Sequence, residues 1–144
     1  MKHCPTDAPC PCGQRNVKTQ LLRYGNCCGR YLEGDSHTAP ILAPDAQVLM
    51  RSRYSAFVLE RAPYLLATWH ASHRPASIEF EPGVKWLGLE VRHYCPPNPE
   101  HPDEAEVEFV ARQKPASGSA VRLHERSRFV RVGGRWLYLD GVLE

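Results

Sequence analysis

Hydrophobic side chains from residue 45 onward recur with the spacing of an amphipathic helix. Apolar residues stand three and four positions apart, whereas Arg51 and Glu60 fall between them, a pattern typical of a helix with one buried side. Asp45 is a favourable N-cap because its carboxylate can accept a hydrogen bond from a free N–H of the first turn. Pro63 suits the first turn of a second, shorter helix that reaches Trp69, since its missing N–H costs little there. The apolar positions of the first helix are Ala46, Leu49, Met50, Tyr54, Phe57 and Val58.

Beyond residue 76 the hydrophobic period changes to two, which is typical of β-strands with one buried face. The alternation predicts strands at 85–94, 104–113 and 120–132, and 135–141 is interpreted as a fourth strand. The two glycines at 133–134 tolerate the positive φ angles of a tight hairpin. Helices followed by an antiparallel meander predict an α+β domain, with the helices packed on one face of a twisted sheet. The apolar faces would carry Leu87, Leu89 and Val91 in the first strand, Val107, Phe109 and Ala111 in the second, and Val121, Leu123 and Phe129 in the third.

The polar faces of the second and third predicted strands carry opposite charges. Opposite charges on neighbouring antiparallel strands attract one another weakly. We therefore expect a solvated salt ladder, with a basic binding stripe as the alternative. The residues concerned are Glu106 and Glu108 on the second strand, and Arg122, His124, Arg126 and Arg128 on the third.

Glu125 interrupts the apolar face of the third predicted strand. It follows Leu123 and precedes Phe129 on the side that should face the core. A carboxylate buried without a partner is costly. We expect Glu125 either to line a cavity or to pair with Arg51 or Arg53 of the long helix.

The N-terminal part of the chain differs in composition from the rest. The length of 144 residues matches one ordinary domain, and 42% apolar with 24% charged residues suits a globular protein. Five of the six cysteines lie in residues 1–34, a segment without a periodic apolar pattern. This head cannot fold by hydrophobic burial alone. We predict a metal-stapled module at 1–34 and a main domain at 35–144, whose first residues, 35–44, form a connector.

The charge and hydropathy of the sequence limit which cellular locations and which classes of partner are expected. The net charge of +2 is small for a dedicated nucleic-acid binder, so direct nucleic-acid binding is not expected. Residues 1–34 sum to +3 and residues 35–144 to −1, so the head is the basic part. The sequence has no apolar run of about 18 residues and no secretion signal. We expect a cytoplasmic protein without a membrane partner. In the cytoplasm, clustered thiols hold metal more often than they form disulfides.

Two pairs of cysteines form the strongest chemical pattern. In Cys10-Pro-Cys12-Gly and Cys27-Cys28-Gly, fourteen residues separate Cys12 from Cys27, and the glycines allow the backbone to bend tightly around an ion. Four thiolates suit tetrahedral Zn²⁺, although iron and Cu(I) accept thiolates as well. A site with four sulfurs has no open position, so we expect a structural metal whose binding stabilises the fold. The alternative, two disulfides or idle thiols, conflicts with a reducing cytosol.

These patterns resemble known bacterial proteins. CPCG and CCG are similar to the SEC-C motif, a metal-binding module of the SecA translocation ATPase tail and of small bacterial proteins. The main domain resembles the YchJ-like family in MRSRYSAFVLERAPYLLATW at 50–69, WLGLEV at 86–91, VEFVAR at 107–112 and ERSRFVRVGGRWLYLDG at 125–141. The resemblance implies a curved, cone-like α+β domain of the nuclear-transport-factor-2-like type. It also implies metal ligands at Cys10, Cys12, Cys27 and Cys28.

The head departs from the usual SEC-C pattern in the loop between its cysteine pairs. That loop is longer than usual, and Gln14 and Arg15 stand where the motif carries Ser-Gly. We expect an insertion there, with a lower metal occupancy than in a standard copy. Cys4 is an alternative ligand, whereas Cys95 is interpreted as a strand-end residue without a role in the site.

Two functions fit these patterns. The first is an adaptor whose metal-stapled head presents a basic surface to a protein or ribosomal partner; that surface would comprise Arg15, Lys18, Arg23 and Arg30. The second is a small-ligand binder or enzyme with a pocket between helices and sheet, for which the candidate residues are Tyr54, Trp69, His70, Trp86, Glu125 and Asp140. Nucleophile elbows and phosphate loops are absent from the sequence, so an enzyme is less expected than an adaptor protein.

Overall fold

A computed structural model of the chain describes residues 2–34 and 41–144. Residues 35–40 of the predicted connector lie outside the described residues. In chain order the elements are α1 (Gly29–Leu32), α2 (Ala46–Val58), α3 (Ala62–Ala67), β1 (Lys85–Cys95), β2 (Glu104–Lys114), β3 (Val121–Val132) and β4 (Arg135–Leu143). Over these two described ranges, no helix has both the length and the apolar character needed to cross a membrane.

Both predicted helices of the main domain are confirmed. Asp45 caps α2, since its Oδ1 accepts a hydrogen bond from the Val48 N–H at 2.8 Å. Pro63 lies in the first turn of α3, where its fixed φ is compatible with a helix. The two helices are joined by a sharp bend in which Glu60 has a φ of 57°.

The four predicted strands form one antiparallel sheet in the order β1-β2-β3-β4. Gly133 and Gly134 connect the last two strands with φ angles of 58° and 79°, as a two-residue hairpin requires. Helix α2 contacts β1, β2 and β4, so one face of the sheet, here called the inner face, packs against the helices. The α+β arrangement of helices on an antiparallel sheet is therefore confirmed.

The core lies between α2 and the inner face. Its side chains come from both layers, which is expected when each element buries only one side. Among the core residues that are almost fully buried are Leu49, Leu65, Val107 and Phe129.

The predicted inner face of β1 is wrong at Leu87. The pairing of β1 with β2 shifts between Trp86 and Gly88, and a bulge of this kind reverses the alternation of side chains. Trp86 consequently turns inward, with its ring centroid 5.5 Å from that of Tyr54, whereas Leu87 is 53% exposed. Beyond the bulge, Leu89 packs against the core.

The predicted salt ladder on the outer face is confirmed at Glu108, whereas Arg122 stands opposite Arg112. His124 Nε2 lies 2.7 Å from Glu108 Oε2, and Arg126 Nη2 lies 4.0 Å from Glu108 Oε1. Glu106 stands opposite Arg128 in the pairing of β2 with β3. These basic side chains are therefore largely matched by carboxylates, which argues against a free basic stripe on the sheet.

Candidate functional site

The first cysteine pair lies at the base of a small hairpin. Cys10 donates its backbone N–H to Leu22 O at 2.9 Å, and the Leu22 N–H donates to Gln14 O at 2.9 Å. Gly13 closes the turn after Cys12 with a φ of 73°, a conformation that favours glycine. The extra length between the two cysteine pairs is therefore folded into a hairpin, with the exposed residues 15–21 at its far end.

The second pair lies between a single helical turn, Tyr24–Asn26, and α1. Gly29 follows Cys28 directly, and a Cβ at this position would lie 2.6 Å from Tyr24 O, which leaves room only for glycine. Tyr24 is fully buried and donates its hydroxyl hydrogen to Glu33 Oε1 at 2.9 Å. The pair is thus held locally by a close backbone approach and a partly buried hydrogen bond.

The four thiols converge on one point. The Sγ atoms of Cys10, Cys12, Cys27 and Cys28 all lie within 4.8 Å of one another, and all four residues are buried. Cys12 Sγ and Cys27 Sγ are 3.6 Å apart, and all four cysteines are free of disulfides. Tetrahedral Zn²⁺ with Zn–S bonds of about 2.3 Å requires sulfurs separated by about 3.8 Å. The four residues therefore fit a metal ion of this kind, which would bind at their centre.

The charge of the cluster also calls for a cation. Hydrogen bonds from the thiols of Cys12, Cys27 and Cys28 lower the pKa of Cys10 below the ordinary range of a thiol. The pKa values of Cys27 and Cys28 are raised, because each hydrogen-bonds to the Cys10 sulfur and is also buried. Four thiolates this close repel one another, so they can coexist only beside a positive ion.

The head lies against α2. Arg51 Nη1 donates to Cys12 O at 3.2 Å, and Cys10 Sγ lies 3.7 Å from Ser55 Oγ. At the other end, Arg61 pairs with Glu33 at 2.7 Å. The four sulfurs belong to the same buried cluster as the core of the main domain. Disturbing the thiols would therefore also disturb the packing of α2.

The remaining cysteines lie elsewhere. Cys4 is buried and its thiol donates to Pro5 O at 3.7 Å, outside the group of four sulfurs. Cys95 is exposed at the last position of β1.

The four candidate partner residues of the head are all exposed. Arg30 is the best anchored, since its Nε donates to Cys27 O at 3.1 Å and its guanidinium lies 5.2 Å from the Tyr31 ring centre. Arg15 Nη1 donates to Thr19 O at 2.6 Å within the hairpin. The two remaining residues of this basic surface are Lys18 and Arg23.

A cavity of about 260 Å³ lies between α2 and the inner face of the sheet. The structure places four of the six candidate pocket residues in its wall: Tyr54, Trp69, Trp86 and Glu125. His70 and Asp140 do not line it. The His70 ring instead faces Ser72 Oγ at 2.7 Å.

Asp140 lies on the outer face because of a second bulge. Arg128 pairs with Asp140 and Phe129 with Tyr138, which leaves Leu139 without an opposite residue. The extra residue reverses the alternation of β4, so Tyr138 faces the cavity and Asp140 faces outward, where it binds Arg128 through both oxygens.

Glu125 lines the cavity but does not have the predicted arginine partner. Within the described residues, neither Arg51 nor Arg53 lies within 4.0 Å of the Glu125 carboxylate in an ion pair. Arg51 reaches the head, as described above, and Arg53 Nη1 donates to Leu65 O. Glu125 Oε1 accepts its hydrogen bond from the Tyr138 hydroxyl at 3.2 Å. Arg53 and Tyr138 are cavity residues that our sequence analysis missed, although the helical spacing of Arg53 from Met50 and Phe57 places it on the buried side.

The Asp140–Arg128 pair makes stability depend on pH. Two hydrogen bonds from Arg128 hold the pKa of the Asp140 carboxyl below its ordinary value. A folded-state pKa below the unfolded one stabilises the protein above the unfolded pKa, and this contribution is lost as the pH falls through the folded pKa. Arg128→Gln should therefore raise the pKa of Asp140 and cost less than about 1 kcal/mol at neutral pH, as for other exposed pairs.

NMR titration of the Asp140 carboxyl carbon and denaturation at neutral and acid pH measure these effects. The difference in stability between the two proteins should disappear in acid. Arg126→Gln, on the same strand, should leave the pKa of Asp140 unchanged. The same Asp140 pKa with and without Arg128 would contradict the interpretation.

Comparisons with known proteins agree with the fold of the main domain. The model of the family described as YchJ, middle NTF2-like domain, matches residues 45–141. The chain is 61% identical over 134 residues to a UPF0225 protein of Polaromonas sp., a match that covers 93% of this chain and 92% of that protein. It is 57% identical over 144 residues to a UPF0225 protein of Methylibium petroleiphilum, covering 99% of this chain and 93% of that one.

Two solved structures are similar over nearly the whole chain. The crystal structure of a SEC-C motif containing protein from Psychrobacter arcticus matches with a TM-score of 0.75 and 30% identity, covering 96% of this chain and 84% of that one. The solution structure of a SEC-C motif containing protein from Rhodopseudomonas palustris matches with a TM-score of 0.72 and 28% identity, covering 94% and 98%.

Proposed function

Because this chain belongs to the YchJ-like family, with an N-terminal SEC-C motif before an NTF2-like domain, we propose that it is a zinc-binding adaptor protein. Zinc would hold the head in shape, and the head would present its basic surface to a protein or ribosomal partner. The convergence of four buried sulfurs within 4.8 Å carries this proposal.

Zinc is the metal that suits this site best. Four thiolates match its preference for soft ligands and tetrahedral geometry, and they would use all four positions of the ion. A closed site of this kind does not bind or activate a substrate, so its role is to stabilise the head. Iron and Cu(I) also accept thiolates and are distinguished from zinc by elemental analysis. For this reason we propose an interaction role and not a reaction at the metal.

The exposed basic residues supply the recognition. Four thiolates with one Zn²⁺ carry a charge of −2, so the head, at +3 before the thiols are counted, stays weakly positive with zinc bound. Arg30 sits directly beside the site, on the Cys27 carbonyl, so the metal determines where its guanidinium lies. The chemistry that fits this surface is an acidic segment of a partner protein, and the relation of SEC-C to the SecA tail suggests protein export or quality control.

A cytoplasmic location is part of the same proposal. Thiols that bind zinc must remain reduced, and the cytosol keeps them so. Oxidising compartments would favour disulfides between sulfurs already as close as those of Cys12 and Cys27, 3.6 Å apart.

Native mass spectrometry with elemental analysis tests the metal. We expect one zinc ion per chain and protection of the four site thiols from alkylation that is lost when zinc is removed, with the exposed Cys95 modified in both states. A protein purified without any metal, with all six cysteines modified at the same rate, would contradict the proposal.

Affinity capture from a bacterial lysate tests the surface. A variant with glutamine at Arg15, Lys18, Arg23 and Arg30 should lose the partners that the unaltered chain captures. The matched control replaces four exposed basic residues of the main domain that make no ion pair with a described residue: Arg74, Lys85, Arg112 and Arg122. If the control variant lost the captured partners and the head variant kept them, the assignment of the surface would be wrong.

A further inference from the structure

The cavity between α2 and the sheet is large enough for a small organic molecule. Its volume is about 260 Å³, whereas a cavity of about 150 Å³ in another protein takes up benzene. Most of the wall is aromatic or aliphatic, which favours an apolar body. The side chains that supply this surface include Met50, Tyr54, Trp86, Phe109, Leu123 and Phe129.

Arg53 places a buried positive charge in this apolar wall. The residue is only 6% exposed, and its Nη1 donates to Leu65 O at 2.8 Å and to Thr68 Oγ1 at 2.7 Å. Its Nε and Nη2 donate to no described residue, and together they form the side of a guanidinium that binds a carboxylate through two parallel bonds. Burial lowers the pKa of Arg53 to about 10, so the side chain is still charged at neutral pH.

Glu125 places a negative charge in the same wall. Its Oε1 accepts from the Tyr138 hydroxyl, and its Oε2 accepts from no described residue. The carboxylate lies over Gly141, where an added Cβ would collide with it. The Arg53 guanidinium and the Glu125 carboxylate do not form an ion pair, so their charged atoms are more than 4.0 Å apart. Each group therefore keeps hydrogen-bonding capacity that the protein does not use.

Trp69 lines the cavity, and its indole Nε1 is buried without a hydrogen-bond partner within the described residues. This N–H is closed off from the cavity, so it does not itself contact a ligand there. The Trp69 ring lies 5.0 Å from the Arg53 guanidinium, so its contribution is to hold that guanidinium in place against the wall.

The wall therefore combines two separated, opposite charges with apolar surroundings. A simple anion or cation would meet one group favourably and the other unfavourably, whereas a zwitterion matches both. We propose that this cavity binds an apolar α-amino acid, with its carboxylate on Arg53, its ammonium on Glu125 and its side chain among the aromatic rings. This site is independent of the metal and of the adaptor role of the head.

Three related probes test the charge pattern in the metal-loaded, full-length protein. L-Phenylalanine carries both charges, 3-phenylpropionate lacks the ammonium, and 2-phenylethylamine lacks the carboxylate. The indole N–H resonances are the readout, because Trp69 and Trp86 line the cavity and Trp136, which does not, is an internal control. Probe concentrations up to about 10 mM detect millimolar affinities.

L-Phenylalanine is expected to shift the Trp69 and Trp86 resonances and to leave Trp136 unchanged. Each singly charged analogue should bind at least about tenfold more weakly, because it leaves one buried charge unpaired. Binding of the three probes with equal affinity, or no shift with any of them, would overturn the proposal.

Two variants separate the two charges. Arg53→Gln should weaken L-phenylalanine and 3-phenylpropionate but not 2-phenylethylamine, whereas Glu125→Gln should weaken L-phenylalanine and 2-phenylethylamine but not 3-phenylpropionate. Glu106→Gln on the outer face is the matched control and should bind like the unaltered chain. If Arg53→Gln does not fold, Glu125→Gln decides alone, and unchanged preferences in that variant would refute the assignment.

Discussion

Replacement of Cys28 by serine is expected to abolish tight zinc binding and to unfold the head. Cys28 is 2% exposed and lies among the other three sulfurs, so serine would leave the ion with a poor fourth ligand in a buried position. Structural zinc contributes about 10–16 kcal/mol of apparent binding free energy in small peptides, and losing much of it should cost this protein more than about 3 kcal/mol.

Release of zinc to a chromophoric chelator measures the loss of metal binding. Urea denaturation measures the loss of stability. If the head unfolds while the main domain stays folded, the slope of the unfolding transition should fall, because less surface remains to be exposed. Removing zinc from the unaltered chain with a chelator should reproduce the variant. Cys95→Ser, at an exposed strand end, should match the unaltered chain in both measurements.

Cys4 makes this experiment informative about the ligand set. Cys4→Ser should keep the zinc, because the Cys4 thiol is directed at Pro5 O and not at the cluster. If Cys28→Ser retained one tightly bound zinc and Cys4→Ser in that background released it, Cys4 would be a replacement ligand. If Cys28→Ser retained zinc in both backgrounds, the assignment of the four ligands would be wrong.

The helices and strands of the main domain were predictable because their signals are local. Asp45 binds the N–H three residues ahead, and Gly133 with Gly134 meets the φ requirement of a hairpin without help from elsewhere. The spacing of apolar residues reports which side of an element is buried, and it placed α2 correctly against the sheet.

Two of the errors come from a change of register. The bulge in β1 turns the Leu87 side chain to solvent, and the bulge at Leu139 in β4 turns Asp140 away from the cavity. A bulge depends on the partner strand as much as on its own residues, so alternation within one strand does not reveal it. The same limit applies to His70, which lies in a loop where hydrophobic alternation carries no information.

The cysteine pairs were identifiable from spacing and glycines, but their surroundings were not. Arg51 reaches Cys12 O across 39 positions of sequence, and nothing local in either segment indicates this contact. The role of Arg53 was missed for a related reason. Arg51 or Arg53 was expected to pair with the Glu125 carboxylate, whereas carbonyl, hydroxyl and aromatic groups surround the Arg53 guanidinium.

Phe129→Ala is expected to have the largest effect on the main domain. Phe129 is 1% exposed, its ring centroid is 5.7 Å from that of Tyr138, and it forms part of the cavity wall. Truncating a buried phenylalanine costs about 3–5 kcal/mol, through lost burial and the space left behind. Urea denaturation should show this loss with an unchanged transition slope, since the same surface still unfolds.

Val121→Ala is the matched control for Phe129→Ala, because Val121 begins the same strand but is 42% exposed. It should change stability by less than about 0.5 kcal/mol. The metal content of both variants should remain that of the unaltered chain, since the head packs against α2 and not against β3. A loss of zinc in Phe129→Ala would mean that the sheet, through α2, holds the thiols in place. A cost below about 1 kcal/mol in Phe129→Ala would show that the cavity collapses around the truncated side chain, and the space proposed for an amino acid would then not be rigid.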